Sequence, residues 1–125
     1  MVVFDTSAVL ALMLDEPGGD VVIANLQSGV VSAVNVIEVL TRLVEAGLTI
    51  DEADAAFSGL NLLMIPLDHQ LAKGAAGLRP LTRHRGLSLG DRSCLALGQH
   101  EKLSVLTADR QWEGLDIGVD IRLIR

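Results

Sequence analysis

The chain has 125 residues, of which 50% are hydrophobic and 2% aromatic, and its formal net charge is −6. That length suits one domain with one sizeable core, and the apolar content is too high for a disordered segment. The longest unbroken apolar run, Ala8 to Leu14, is far short of the roughly 18 residues that a membrane span needs. It also lacks the preceding basic stretch of a signal peptide.

Met1 to Phe4 is a compact apolar run ending at Asp5 and is predicted to be a strand. Ala8 to Leu14 reads as a short helix that stops near Pro17-Gly18-Gly19, and Asp20 to Gln27 as a second helix. Gly29 to Ala33 is a second strand. Val34 to Ala46 is helical, with Val36, Leu40, Leu43 and Gly47 on one stripe. Thr49 and Glu52 have the spacing of a capping box opening a helix from Ile50 to Gly59. Leu62 to Ile65 is a third strand closed by Pro66, and Asp68 to Leu78 a helix capped by Asp68. Arg79 to Leu87 reads as a basic loop and Ser88 to about His100 as a helix. Leu103 to Leu106 and Val119 to Ile124 are the fourth and fifth strands.

Strands alternating with helices imply crossover units and a parallel sheet covered on both faces. Such strands are continuous apolar runs when buried, as VVF, SVL and LLMI are. Ligands of such a sheet sit at the carboxyl ends of the strands. Two strands end there in an acid, Asp5 after the first and Asp109 just beyond the fourth. Glu38 lies one turn into the helix after strand two, and Asp91 lies in the first turn of the helix before strand four.

Each acid also has a purely structural reading. Asp5 can close a turn before a helix capped by Thr6 or Ser7. Glu38 can form an exposed pair with Arg42, worth ~0.2–0.5 kcal/mol. Asp91 can complete a capping box with Ser88, and Asp109 can cap the stretch after it. Scattered caps would fall at both ends of the sheet, whereas these four acids point to one. Like charges ~4 Å apart repel by about 4 kcal/mol at an effective dielectric near 20. A cation relieves that cost, and an all-carboxylate donor set selects Mg²⁺ or Mn²⁺. Such ions are the apparatus of phosphodiester hydrolysis. No Cys or His pair has zinc-ligand spacing.

Four segments together resemble the PIN-domain ribonucleases, most closely the VapC toxins of type II toxin–antitoxin pairs. They are VVFDTSAVLAL, SAVNVIEVLTRL, LSLGDRSCLALG and LSVLTADRQW, in the family's order and across essentially the whole chain. The resemblance implies a three-layer α/β/α PIN-like fold with a five-stranded parallel sheet of order 3-2-1-4-5. It implies a Mg²⁺-dependent endoribonuclease that forms a homodimer and is held inactive by a small antitoxin. Independently, the single cysteine, Cys94, makes a reducing cytoplasm the simplest compartment. The resemblance maps a catalytic quartet onto Asp5, Glu38, Asp91 and Asp109, with Asp5, Asp91 and Asp109 as metal ligands. Asp116 and Asp68 compete for the fourth position. The sequence departs from the family at Trp112, where Phe is frequent, and at Gly98, where Ala is common.

Thr6, Ser7, Asn35 and Thr107 flank the acids and can orient carboxylates or water, and three of them are equally plausible helix caps. Arg79, Arg83, His84 and Arg85 form a basic cluster before Asp91, and Arg92 and Arg110 adjoin the acids. These arginines can hold RNA phosphates, or simply solvate their segments. With no Tyr and only three other aromatics, a base-stacking platform is not expected. Cys94, the only cysteine, excludes an intramolecular disulfide and is expected to be a small core residue. The mean hydropathy of +0.43 fits either a dense core or a face buried by a partner. Two alternatives are a non-catalytic PIN-like interaction module and a phospho-acceptor receiver domain. The receiver reading wants a second acid beside Asp5 and a Lys after a later strand, and neither is present.

Overall fold

The first apolar run becomes β1 (Val2–Phe4), and in the computed structural model, which describes residues 1–125, it is the central strand. β2 (Gly29–Ser32) and β4 (Ser104–Thr107) flank it, and β3 (Leu63–Ile65) and β5 (Ile121–Leu123) form the edges. All four pairings are parallel and the order is β3-β2-β1-β4-β5, as expected. The helices are α1 (Thr6–Met13), α2 (Gly19–Ala24), α3 (Ala33–Glu45), α4 (Ile50–Ser58), α5 (His69–Gly77), α6 (Arg79–Thr82) and α7 (Leu89–Glu101).

Strand alternation divides the core in two. Val2, Phe4, Val31 and Leu106 join the buried faces of α1, α2, α3 and α4. Val3, Val30 and Val105 point the other way, onto α5, α7 and Trp112. The registers Val3↔Val30 and Val3↔Val105 keep the second set on one face. Every residue of β1 and β2 is buried, the condition of a central strand covered by helices on both sides.

β5 is shorter than predicted, starting at Ile121 rather than Val119, and the structure departs from the predicted elements in four further places. First, α1 begins at Thr6, two residues early, with Asp5 as an extended N-cap whose side chain makes no cap bond. Second, the helix expected from Asp20 to Gln27 ends at Ala24 and continues as a 3-10 turn, Leu26–Ser28. Third, the basic stretch after α5 is not a loop. Pro80 is tolerated in the first turn of α6, the buried Thr82 hydroxyl donates to Leu78 O at 2.8 Å, and a 3-10 turn spans Arg83–Arg85. Fourth, β3 is apolar but not buried. Leu63 and Met64 are 54% and 46% exposed, because an edge strand has one side without a neighbour. Cys94 is fully buried as expected.

Gly98 has a packing reason. A β-carbon there would stand 2.6 Å from Val105 Cγ2, so glycine lets α7 lie directly on β4. Gly98→Ala gains up to ~1 kcal/mol of helix propensity but overpacks a stiff β-branched neighbour, at about 1–3 kcal/mol. Urea unfolding should show a net loss of about 1 kcal/mol, and that loss should vanish when Gly98→Ala is made in a Val105→Ala background and compared with Val105→Ala alone.

Candidate active site

Pairing of β1 with β4 aligns Phe4 with Leu106, so Asp5 and Thr107 leave the sheet side by side. The Asp5 amide donates to Leu106 O at 3.0 Å, which holds Asp5 at the carboxyl edge while α1 turns away. Its carboxylate is nearly fully buried. Ser7 Oγ and Thr107 Oγ1 both donate to Asp5 Oδ2, at 2.7 and 3.0 Å. Burial pushes the Asp5 carboxyl up to about 6, and the nearby Asp91 charge adds to the shift, while the two hydroxyls oppose it.

Glu38 does not pair with Arg42. Its Oε1 accepts from Thr6 Oγ1 at 2.6 Å and from Asn35 Nδ2 at 3.0 Å. Asn35 is fully buried and also donates to Thr6 Oγ1 at 2.9 Å and to Gly90 O at 3.3 Å. Its own oxygen accepts from Ser32 Oγ at 2.6 Å, and Ser32, not Asn35, caps α3. One amide thus ties together α1, α3 and α7. Thr6 and Ser7 lie inside α1 and act on carboxylates rather than as caps.

Asp91 forms the capping box with Ser88, accepting from Ser88 N at 2.8 Å through Oδ2. Its Oδ1 has no protein hydrogen bond, so capping uses only one of its two oxygens. Burial raises its pKa, and the charges of Asp109 and Glu38 raise it further. Asp109 caps the 3-10 turn Arg110–Trp112, with Oδ1 accepting from Gln111 N at 2.9 Å and its own amide donating to Thr107 Oγ1 at 3.0 Å. One turn beyond Asp91, the buried Cys94 thiol is driven well above its usual range, first by burial and then by Asp5, Asp91 and Glu38.

No arginine, lysine or histidine pairs with these four acids, and the ion pairs present lie elsewhere. Their partners are neutral hydroxyls, an amide and backbone N–H groups. In this arrangement no three His, Cys, Asp or Glu side chains stand close enough together to hold a metal ion. An oxygen-only donor set of this kind fits a hard divalent ion that keeps several waters and takes few protein ligands. The competitors stand apart from the four acids. Asp68 caps α5 through Leu71 N at 2.8 Å, and Asp116 is an exposed residue with no hydrogen bond.

Gly90 was not singled out by sequence. A β-carbon there would land on the Glu38 carboxylate, so any larger residue would push that acid away from Thr6 and Asn35. A glycine beside Asp91 is weak punctuation within a helix, and the contact is visible only in three dimensions. Among the basic candidates, Arg79, Arg83 and Arg110 are exposed and make no hydrogen bond to protein. Arg85 donates to Gln111 O and Glu113 O, and Arg92 donates to Ala75 O at 3.2 Å with its Nε buried and unpaired.

Comparison with known proteins agrees with this architecture. The family model described as PIN domain matches residues 2–117. The fold is similar to a DNA-bound VapBC from Salmonella typhimurium, with a TM-score of 0.76, 18% identity and 100% of both chains covered. It is similar to a toxin–antitoxin complex from Klebsiella pneumoniae, with a TM-score of 0.75, 18% identity, and 100% and 98% covered. FitAcB from Neisseria gonorrhoeae is similar at a TM-score of 0.67 and 23% identity, with 97% and 96% covered. No curated protein matches the sequence.

The Asp5 carboxyl titrates near 6 in the folded chain against 3.8 for the free group, so between these values the folded state holds the extra proton. Its contribution is therefore full below about pH 4 and lost as pH rises through about 6. In EDTA, wild type should lose about 3 kcal/mol relative to Asp5→Asn across that window. Urea unfolding at each pH measures the difference, and a pH-independent difference contradicts the burial argument.

Proposed function

The chain belongs to the PIN-domain family, and on that premise we propose that it is a Mg²⁺- or Mn²⁺-dependent endoribonuclease, the toxin of a toxin–antitoxin pair. One observation carries the reading. The charge of Asp91 acts on Asp5 and those of Asp109 and Glu38 act on Asp91, yet neutral donors alone hold the four acids. Four uncompensated carboxylates are expensive unless a cation joins them. Asp5, Asp91 and Asp109 are the residues to hold it. When bound, the ion supplies a Lewis acid that makes water a nucleophile at neutral pH and shields charge on the phosphate.

The protein groups then divide the remaining work. Ser7 and Thr107 fix the Asp5 carboxylate through Oδ2, so that it would be held in place to take part in binding the cation. Thr6 and Asn35 fix Glu38 Oε1, leaving Oε2 to accept a proton from the attacking water. Arg79, Arg83 and Arg110 are free to hold phosphates on either side of the cut, and Arg92 flanks the site. With no aromatic platform, RNA is held by charge. No helix is long and apolar enough to cross a membrane, and the proposed setting is the cytoplasm.

Partners follow from the exposed apolar surface. Ile37, Leu40, Val44 and Ile50 line a groove along α3 that runs on at Ile37 and Thr41 into a polar one beside Glu38. An antitoxin segment with apolar residues and one basic side chain fits that order. A homodimer is the proposed assembly, using other exposed apolar residues such as Leu67, Leu81 and Leu89.

Mn²⁺ should raise the melting temperature of wild type and not of Asp5→Asn. Asp91→Asn should cut RNA cleavage by more than about 100-fold with the fold retained, exceeding the 10–100-fold typical of an outer partner such as Asn35. Sequencing of RNA ends after induced expression, with Asp5→Asn as control, identifies the cut sites. Wild-type cleavage by Asp91→Asn, or no melting shift over a broad range of Mn²⁺, would overturn the metal-nuclease reading.

A further inference from the structure

The chain leaves β4 through Thr107, passes Asp109 and folds at once into the 3-10 turn Arg110–Trp112. The position of the Asp109 carboxylate depends on that turn, because Oδ1 is held by Gln111 N at 2.9 Å. The end of a 3-10 turn leaves carbonyls without partners. Arg85 fills this need from 26 and 28 residues away, with Nη1 donating to Gln111 O at 2.8 Å and to Glu113 O at 2.6 Å. These are charge-assisted bonds, the strong kind. Trp112, between the two carbonyls, is fully buried in the same cluster as Leu87, two residues beyond Arg85. The turn is thus plugged into the core on one side and clamped from outside on the other.

We infer that Arg85 is a positioning residue for the site: its guanidinium straps the turn after β4 and thereby fixes the Asp109 carboxylate. The other role open to a basic residue here is phosphate contact, and donor use argues against it. Arg85 has five N–H donors. Both on Nη1 go to the carbonyls, and Nε donates to His84 Nε2 at 3.3 Å, which leaves only Nη2 free. Arg110, two residues before Trp112, is exposed with no hydrogen bond and is the better placed phosphate ligand. The consequence for the cation rests on the assignment of Asp109 above, whereas the strap itself does not.

The test uses the full chain as wild type, Arg85→Gln, Arg85→Lys and Asp109→Asn. Three quantities are read: amide exchange at Gln111, Mn²⁺ affinity by calorimetry, and the salt dependence of binding to an oligouridylate in EDTA. Arg85→Gln should speed Gln111 exchange at least tenfold and weaken Mn²⁺ several-fold, with the salt slope unchanged. Arg85→Lys should recover part of both losses. Unchanged Gln111 exchange in Arg85→Gln overturns the strap, as does a salt slope reduced by about 0.7, the share of one single-strand phosphate contact. If Asp109→Asn binds Mn²⁺ as wild type does, the Asp109 assignment fails instead, and Gln111 exchange still decides the strap.

Discussion

Asp5 is a carboxylate buried at the end of the central strand, within reach of the charge of Asp91, and much of the surrounding structure answers to that burial. Loss of water lifts its pKa to about 6. Two hydroxyls on one oxygen restore part of what water supplied, and they come from both sides of the chain, Ser7 from α1 and Thr107 from β4. The same two hydroxyls also meet each other and the backbone beyond β4, through Ala108 N and Asp109 N. Strand pairing, helix entry and the exit from β4 are therefore joined in one hydrogen-bonded patch. Such a network is cooperative, and its low-dielectric setting makes each missing partner costly.

A second, parallel device serves Glu38. Here the scaffold is a buried amide instead of hydroxyls alone. Asn35 spends its oxygen on Ser32 and its nitrogen on Thr6, Glu38 and Gly90. The carboxylate is oriented from α1 and α3 while α7 closes over it, and glycine at position 90 leaves the room that this placement of the carboxylate occupies. The other glycine of α7 that makes a close approach, Gly98, brings the far half of the helix onto β4. Both weaken α7 as an isolated helix and tighten its seating. Asp91 is carried on that helix, so its distance from Asp5 and Glu38 is set by how closely α7 approaches the sheet.

The acidity of the chain and its proposed polyanionic substrate fit together once charge is located. The acids named here occupy one edge, held by neutral donors. The free guanidiniums of Arg79 and Arg83 lie in the α6 segment, and that of Arg110 follows Asp109. Net charge alone argues against nucleic acid, because it averages over a cleft that concentrates one sign and a neighbouring segment that carries the other.

Sequence by itself determined what is encoded over short spacings. The apolar runs located all five strands, the i,i+3 pairs Thr49–Glu52 and Ser88–Asp91 gave both capping boxes, and acids following strands marked the edge to inspect. Matching segments in order supplied the family and, through it, the sheet order. What only tertiary structure decided involves partners far apart in the chain. Glu38 meets Thr6 across 32 residues in place of Arg42 across four, Asn35 meets Gly90 across 55, and Thr107 meets Asp5 across 102. Exposure of the apolar β3, the helical form of the Arg79–Arg85 segment and the use of Arg85 on two carbonyls belong to the same class. A local spacing can specify a cap because helix geometry is the same wherever a helix forms. A carboxylate's long-range partner depends on which elements pack together and how closely, and the core fixes that.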